Sequence, residues 1–319
     1  MSEPDGDHRC GGYPRALTLC IVAAMLEAKK VVVITGASSG FGRLTAELLA
    51  RSRYGVFATM RHSAGRNGRA ADELRRLALE ESLPLHVAEM DVTQDGSVES
   101  CILEVLARAG RIDVLINNAG FGYMGLLESF TLEQAQRIFD TNVLGVHRTI
   151  RAVLPQMHRQ GEGLLIQVSS GAGRLVLPAM GLYCASKFAL EALTDCYRYE
   201  LAASGIDCVC VQPGAYPTEI FAKIEAGADA TRERAYGAAR QLAARIGGAL
   251  KASKADPMEV PRALVAVIET PAGSRAPRYR VGRGAPGVEA INELSAQVQE
   301  QFLTALGVTE LTKPPARPS

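Results

Sequence analysis

Short apolar runs alternate with longer helix-forming segments from residue 29 onward, and this alternation constrains the fold more than any other feature. The apolar runs are rich in Val, Ile and Leu and almost uninterrupted by polar residues, which is typical of strands that are covered on both faces. Strands that alternate with helices in this way predict an α/β fold with a doubly wound parallel sheet. The predicted strands of this pattern are 31–35, 55–60, 85–91, 112–117, 164–169 and 206–212, and a last short strand is predicted over 278–281, where the pattern is less regular.

The predicted helices lie between these strands, so that helices should cover both faces of the sheet. They span 44–53, 70–81, 98–109, 132–159, 185–203 and 258–269. Residues 29–285 are therefore expected to form one domain, with a small helical cap at about 216–254. Residues 1–28 are expected to be a poorly ordered extension. Residues 286–319 should form a Pro-rich tail after an amphipathic helix, whose apolar residues are Val288, Ile291, Leu294, Val298 and Phe302.

The composition excludes several classes of protein. A formal net charge of +1 with both signs interspersed offers no basic surface for nucleic acid or for a membrane. The apolar segment 16–26 is too short to span a bilayer. The seven cysteines form no paired framework, so we expect free thiols and a cytoplasmic protein. None of the five histidines forms a metal-spaced pair with another histidine or a cysteine, so no metal is predicted.

A glycine-rich turn, Thr35-Gly36-Ala37-Ser38-Ser39-Gly40-Phe41-Gly42, joins the first predicted strand to the first predicted helix. Glycines at this point allow backbone N–H groups to approach a pyrophosphate, and the helix N-terminus adds positive partial charge. A glycine-rich turn alone is weak evidence, but its position between a strand and a helix is the one that the dinucleotide motif requires. The sequence therefore predicts a Rossmann-type dinucleotide site.

The end of the second predicted strand indicates which dinucleotide is bound. An acid about 20 residues past the loop would accept the ribose 2′-hydroxyl of NAD. The sequence there is Thr59-Met60-Arg61-His62, with no carboxylate. Because an arginine can pair with a 2′-phosphate, NADP(H) is the expected cofactor and NAD(H) the less favoured one. The alternative interpretation of Arg61 is an ordinary surface arginine.

Tyr183 and Lys187 lie four residues apart at the start of a predicted helix, and both side chains should therefore share one face. A neighbouring ammonium stabilises a phenolate, which suits proton transfer to a carbonyl oxygen. Such a pair also arises easily by chance. Its significance rises because Ser170 and Asn118 follow strands that end at the same edge of the sheet. Asn142, within a predicted helix, is by itself most simply a surface residue.

Taken together, these pieces resemble the short-chain dehydrogenase/reductase family, in the branch with a T-G-x-x-x-G-x-G loop and a Y-x-x-x-K pair. The resemblance covers about residues 29–220 and is loose beyond them. The matching pieces, in chain order, are Thr35 to Gly42, Asp91-Val92, Asn117 to Gly120, Asn142, Ser170, Tyr183-Cys184-Ala185-Ser186-Lys187, and Pro213-Gly214 with Thr218.

The resemblance implies a hydride transfer between a pyridine nucleotide and a carbonyl or alcohol. Ser170 would donate a hydrogen bond to the substrate oxygen, and Tyr183 would exchange the proton. Lys187 would bind the nicotinamide ribose and lower the pKa of Tyr183, and Asn142 would anchor a water. The residues implied to hold the cofactor are Gly36, Ser38, Ser39, Gly40, Phe41, Gly42, Arg61, Asp91, Val92, Asn118, Ala119, Gly120, Tyr183, Lys187, Pro213, Gly214 and Thr218. The chain departs from some NADP-preferring members at Ser39, where they carry a basic residue.

The expected substrate pocket is largely apolar, with Phe121, residues 176–182, Tyr216 and a cap near Phe221 as its walls. Such a lining suits a hydrophobic aldehyde, ketone or secondary alcohol, although each residue could equally be ordinary core. The alternative function is a catalytically silent NAD(P)-sensing regulatory protein, which would be expected to have lost Tyr183, Lys187 or Ser170. The family commonly pairs subunits through two long helices, here 132–159 and 185–203, which implies a homodimer or homotetramer.

Overall fold

A computed structural model describes residues 28–218, 224–282 and 287–312. The predicted N-terminal extension, apart from residue 28, lies outside these residues. Phe221 of the predicted pocket and the Pro-rich end of the chain also lie outside them. No helix among the described residues is both long and apolar enough to cross a bilayer.

Seven parallel strands form one sheet in the order β3-β2-β1-β4-β5-β6-β7, which confirms the predicted doubly wound α/β fold. The chain moves outward from β1 to β3, returns to β4 beside β1, and then builds the other half of the sheet. This reversal creates a crevice at the carboxyl ends of β1 and β4. The strands are β1 (Val31–Ile34), β2 (Gly55–Met60), β3 (Leu85–Glu89), β4 (Val114–Asn117), β5 (Gly163–Val168), β6 (Ile206–Pro213) and β7 (Arg278–Val281).

Helices cover both faces of the sheet, and the alternation of side chains along β1 divides the core in two. Val32 and Ile34 pack on one face with residues of the first two helices and of the helix Glu259–Glu269. Val31 and Val33 pack on the opposite face. The helices are α1 (Gly40–Arg51), α2 (Gly68–Glu80), α3 (Asp95–Ala109), α4 (Leu132–Phe139), α5 (Gly145–Gln160), α6 (Gly181–Glu200), α7 (Leu242–Lys251), α8 (Glu259–Glu269) and α9 (Val288–Ala305).

The predicted single helix over 132–159 is wrong in one respect, because a π-helical segment, Asp140–Leu144, separates α4 from α5. Gly145 follows this segment at a point where the backbone passes very close to Val92, since a Cβ on Gly145 would lie 2.8 Å from a Val92 methyl. The wider π turn carries Asn142, whose side chain is fully buried. Asn142 is therefore not the surface residue that its position in a helix would suggest.

The predicted cap and the predicted C-terminal helix each differ in part from expectation. The helix-prone cap contains a 3₁₀ segment, Arg232–Gln241, followed by α7. Tyr216, placed in the cap from sequence, is buried against the domain. The C-terminal helix α9 is present, but its predicted apolar face lies largely in solvent, since Leu294, Val298 and Phe302 are 62%, 55% and 56% exposed.

Candidate active site

A cleft of about 820 Å³ lies at the carboxyl edge of the sheet, where β1, β4, β5 and β6 end. Every site residue predicted from the sequence lines this cleft except Gly42 and Asn142. These two lie directly behind the lining, Gly42 beneath the glycine-rich loop and Asn142 beneath Phe121. Residues separated by up to about 180 positions in the chain thus lie in one cleft, because the carboxyl ends of parallel strands meet at the same edge of the sheet.

The glycine-rich loop is shaped by close backbone contacts. Gly36 adopts a φ of 70°, and a Cβ there would lie 2.8 Å from the Cα of Ala119. Gly40 adopts a φ of 56°. A Cβ on Gly42 would lie 2.5 Å from both Asn118 Nδ2 and the carbonyl oxygen of Gly36. Only glycine fits these positions without displacement of the loop.

Asn118 holds the loop in place from the neighbouring strand. Its Nδ2 donates hydrogen bonds to the carbonyl oxygens of Thr35 and Gly36, at 3.0 and 3.1 Å. The Thr35 hydroxyl accepts from the backbone N–H groups of Asn118 and Ala119, each at 3.0 Å. The loop and the end of β4 therefore form one hydrogen-bonded unit.

The loop has the properties that a dinucleotide pyrophosphate requires. It leads into the N-terminus of α1, where backbone N–H groups and the positive end of the helix dipole face the cleft. The ring of Phe41 packs edge-on against Tyr216, with the centroids 5.4 Å apart, so that the loop also contacts the segment after β6. The residues present therefore fit a bound dinucleotide.

The far end of the cleft is bordered by Arg61, Arg66 and Asp91. Burial opposes ionisation of Asp91, but hydrogen bonds from the Thr93 N–H and hydroxyl, together with the nearby charge of Arg61, hold its pKa below the usual range. The loop after β2 is tied down by Glu89, whose carboxylate accepts from the N–H groups of His62 and Ser63. Arg66 was not identified from the sequence, because only the fold of this loop brings it to the lining of the cleft.

Tyr183 is the third residue of α6, and its ring lies against the backbone of Gly122. Burial raises the pKa of the Tyr183 phenol, and a hydrogen bond with the Ser170 side chain partly offsets the rise. Ser170 follows β5, and its hydroxyl accepts from the N–H of Ala172 at 3.1 Å. A neutral phenol and a serine hydroxyl thus share one point of the cleft.

Lys187 lies one turn after Tyr183, with its side chain almost completely buried. The ammonium donates to the carbonyl oxygen of Val168 at 2.8 Å, and it lies 5.9 Å from the centre of the Tyr183 ring. Burial lowers the pKa of Lys187 to about 8. The lowering of the Tyr183 pKa by Lys187 stays a prediction, because burial is the larger influence on the phenol here and the ammonium donates to the Val168 carbonyl oxygen.

Asn142 connects the π turn to both sides of the site. Its Oδ1 accepts from the N–H of Phe121, and its Nδ2 donates to the carbonyl oxygen of Phe121 and to the Ser186 hydroxyl. These three bonds fix the strand-end segment that faces Tyr183. The role of Asn142 as a water anchor stays a prediction, and its carboxamide is already engaged by protein partners here.

The remaining part of the cleft is mainly apolar. Phe121, Leu177, Met180 and Tyr216 line it, as predicted for Phe121, Tyr216 and part of the segment 176–182. Val176 of that segment is instead exposed to solvent. Other lining residues were not identified from the sequence: Arg137, Ile224, Glu225 and Leu250.

Comparison with known proteins agrees with this geometry. Residues 30–229 match the family model for short chain dehydrogenases. An uncharacterized oxidoreductase of Bacillus subtilis, YusZ, is 40% identical over 195 residues, which are 60% of this chain and 67% of the relative. The 3-ketodihydrosphingosine reductase of Bacteroides thetaiotaomicron is 35% identical over 189 residues, 59% of this chain and 65% of the relative. Bovine retinol dehydrogenase 8 is 40% identical over 206 residues, 63% of each chain.

Solved structures share the architecture over a larger part of the chain. A short-chain dehydrogenase from Streptomyces avermitilis is 30% identical with a TM-score of 0.68, covering 87% of this chain and 97% of its own. An alcohol dehydrogenase from Thermococcus sibiricus, complexed with 5-hydroxy-NADP, is 27% identical with a TM-score of 0.64, covering 80% of this chain and 99% of its own.

The fold, the cleft and these matches define a dinucleotide-binding oxidoreductase class. The chain belongs to the short-chain dehydrogenase family, as the sequence predicted. The aligned region spans only about two thirds of the length of the three relatives described above.

Proposed function

We propose that this protein transfers a hydride between NADP(H) and a carbonyl or alcohol, and that its substrate is a hydrophobic aldehyde, ketone or secondary alcohol. The main support for this proposal is that Tyr183, Ser170 and Lys187 line the same cleft as the glycine-rich loop. The raised pKa of Tyr183 keeps the phenol protonated at neutral pH, which suits proton donation to a carbonyl oxygen.

Each catalytic side chain has a separate task in this proposal. The bound nicotinamide supplies the hydride to the carbonyl carbon or takes it from the alcohol carbon. Tyr183 gives its proton to the oxygen that becomes negative, and the Ser170 hydroxyl donates a hydrogen bond to the same oxygen. Lys187, whose ammonium is held by Val168, stabilises the phenolate that Tyr183 leaves behind and binds the nicotinamide ribose. Asn142 keeps the segment opposite Tyr183 in place through its bonds to Phe121.

Charges at the far end of the cleft support NADP(H) as the cofactor. Arg61 and Arg66 both line that end, and β2 carries no acid for a ribose 2′-hydroxyl. Two guanidinium groups suit a 2′-phosphate, since each can form charge-assisted hydrogen bonds with its oxygens. If this is correct, replacement of both arginines by Ala weakens NADPH binding at least about tenfold and leaves NADH binding nearly unchanged.

The substrate class rests on the lining and on the relatives. Phe121, Leu177 and Met180 surround the approach to Tyr183, which favours a large apolar molecule. Three relatives carry names of enzymes for such molecules: 3-ketodihydrosphingosine reductase, retinol dehydrogenase 8 and murine 17-beta-hydroxysteroid dehydrogenase type 1. We further propose a homodimer or homotetramer that pairs through α5 and α6. A cytoplasmic location is supported by the five free cysteines among the described residues.

The test is NADPH oxidation followed across a panel of hydrophobic aldehydes, ketones and retinoid- or steroid-like carbonyls, with NADH in parallel. Carbonyl-dependent turnover that is faster with NADPH is the expected result. Turnover with NADH alone would contradict the assignment of Arg61 and Arg66. Tight dinucleotide binding without turnover of any carbonyl would contradict the proposed reaction and favour a silent sensor.

A further inference from the structure

Arg137 and Glu225 form a charged pair on the cap side of the cleft. Their side chains form a salt bridge, although 88 residues separate them in the chain. Arg137 belongs to α4, whereas Glu225 follows the gap in the described chain after residue 218. Both residues line the cleft.

The surroundings of this pair hold it in a defined position. The Arg137 guanidinium lies over the rings of Phe121 and Tyr123, 5.4 and 5.6 Å from their centroids. The backbone of Glu225 forms a β-bridge with Tyr123, and its carbonyl accepts from the N–H of Met124 at 3.1 Å. The guanidinium and the carboxylate are therefore fixed against the same short segment, next to the Gly122 backbone that contacts Tyr183.

The other charges that line the cleft lie elsewhere. Arg61, Arg66 and Asp91 border the far end. Asp140 belongs to that end as well, because Arg148 bridges it to the carbonyl oxygen of Val92. Apart from Lys187, the charged side chains on the substrate side of the described lining are those of Arg137 and Glu225.

Each member of the pair keeps polar atoms available to a ligand. The side chains of Arg137 and Glu225 are 53% and 52% exposed, and their bridge involves one guanidinium nitrogen and one carboxylate oxygen. Arginine carries five N–H donors, and a carboxylate carries two acceptor oxygens. A donor and an acceptor thus stand side by side, which matches a hydroxyl group because a hydroxyl both accepts and donates. A carboxylate would instead meet the like charge of Glu225.

We infer that Arg137 and Glu225 select substrates that carry a neutral hydroxyl group in addition to the reacting carbonyl. The inference rests on the proposed function and specifies its substrate: an apolar body, a carbonyl at Tyr183, and a hydroxyl at the Arg137–Glu225 pair. Phe121, which also lines the cleft, offers an apolar contact to the body of the molecule.

The test compares three substrates with NADPH: a long-chain methyl ketone, the same ketone with a terminal hydroxyl, and the same chain with a terminal carboxylate, each at several chain lengths. We expect kcat/KM for the hydroxylated ketone to exceed that for the plain ketone by at least about tenfold at the best length, the factor for one hydrogen bond to a charged group. Arg137→Met and Glu225→Leu should each bring this ratio close to one.

A matched control exists in the pair Arg232–Glu128, which is similarly exposed, at 54% and 48%, but lies outside the cleft lining. Arg232→Met should keep the wild-type ratio. NADPH affinity and melting temperature, measured for every variant, identify any that is misfolded, and Glu225→Gln provides a milder second variant that should lower the ratio while the side chain keeps its size.

Three results would overturn the inference. The first is equal kcat/KM for plain and hydroxylated ketones at every chain length, which would leave the proposed function standing. The second is a preference for the carboxylate. The third is an unchanged ratio in folded Arg137 and Glu225 variants. Absence of turnover with all three substrates and with the wider carbonyl panel would remove the proposed function itself, and the inference with it.

Discussion

The substitution Gly42→Ala tests whether the glycine-rich loop needs glycine at this position. Alanine would change the free energy of unfolding in two opposite ways, through its higher helix propensity and through a steric clash. Gly42 lies in the first turn of α1, where alanine has the higher helix propensity and would stabilise by up to about 1 kcal/mol. The added Cβ would lie 2.5 Å from Asn118 Nδ2 and from the Gly36 carbonyl oxygen. Asn118 would lose its two bonds to the loop, each worth about 1 kcal/mol.

Overpacking against the backbone of Gly36 costs a further 1–3 kcal/mol or so, since the loop itself must move. The clash therefore outweighs the helix propensity, and we expect a net destabilisation of about 3 kcal/mol. The displaced Gly36 belongs to the loop proposed to hold the pyrophosphate. For that reason NADPH affinity should also fall, by about tenfold or more.

Urea unfolding and a direct NADPH titration measure these two effects. The control is Gly96→Ala in the first turn of α3, where a Cβ would meet nothing within 4 Å. That variant should be as stable as the wild type or up to about 1 kcal/mol more stable. A Gly42→Ala protein with wild-type stability and NADPH affinity would show that the loop tolerates a Cβ at Gly42 and that its shape does not determine NADPH binding.

Three further predictions concern the catalytic pair and the core. Tyr183→Phe should retain NADPH affinity in a titration and lose about 10²–10⁴-fold in turnover, because the proton donor is removed; turnover near the wild-type value would contradict its role. The kcat/KM for NADPH reports the ionisation of groups in the free enzyme, among them Lys187, whose pKa is lowered to about 8. We expect kcat/KM to be constant below pH 8 and to fall above it, because Lys187 loses its proton there. A value that rises with pH through this range would be inconsistent with a required ammonium. Arg278→Met should lower the free energy of unfolding in urea by about 3–5 kcal/mol, because it leaves the buried carboxylate of Glu191 without its cation. The control Arg69→Met, at an exposed ion pair, should lower it by less than about 0.5 kcal/mol. Equal losses in the two variants would argue against a stabilising role for the buried pair.

Much of the fold was predictable because most of the strands are buried on both faces and therefore appear in the sequence as continuous apolar runs. The ends of β1 and β4 were predicted within a residue or two for this reason. The π turn between α4 and α5 was not predictable from local periodicity. It ends at Gly145, whose backbone lies close to Val92 in the loop after β3, and a contact between such distant residues leaves no trace in local periodicity.

In the site, residues that belong to a short sequence motif were predicted, and residues that meet only through the fold were not. The glycine-rich loop and the pair Tyr183–Lys187 carry their signal within a few residues, so their place in the cleft was predicted correctly. Arg137 and Glu225 carry no local signal, because only the folding of the cap onto α4 brings them together. The exposed face of α9 has a related cause: periodicity indicates a helix with an apolar side but does not specify what that side contacts.

We propose that this protein transfers a hydride to a carbonyl with Tyr183 as the proton donor. The most direct measurement uses NADPH deuterated at both C4 positions, a hydrophobic ketone, and mass spectrometry of the alcohol formed in a single turnover. We expect one deuterium on the former carbonyl carbon with the wild type, and almost no product on the same timescale with the Tyr183→Phe protein saturated with NADPH. An alcohol without deuterium, or equal single-turnover rates for the two proteins, would contradict it.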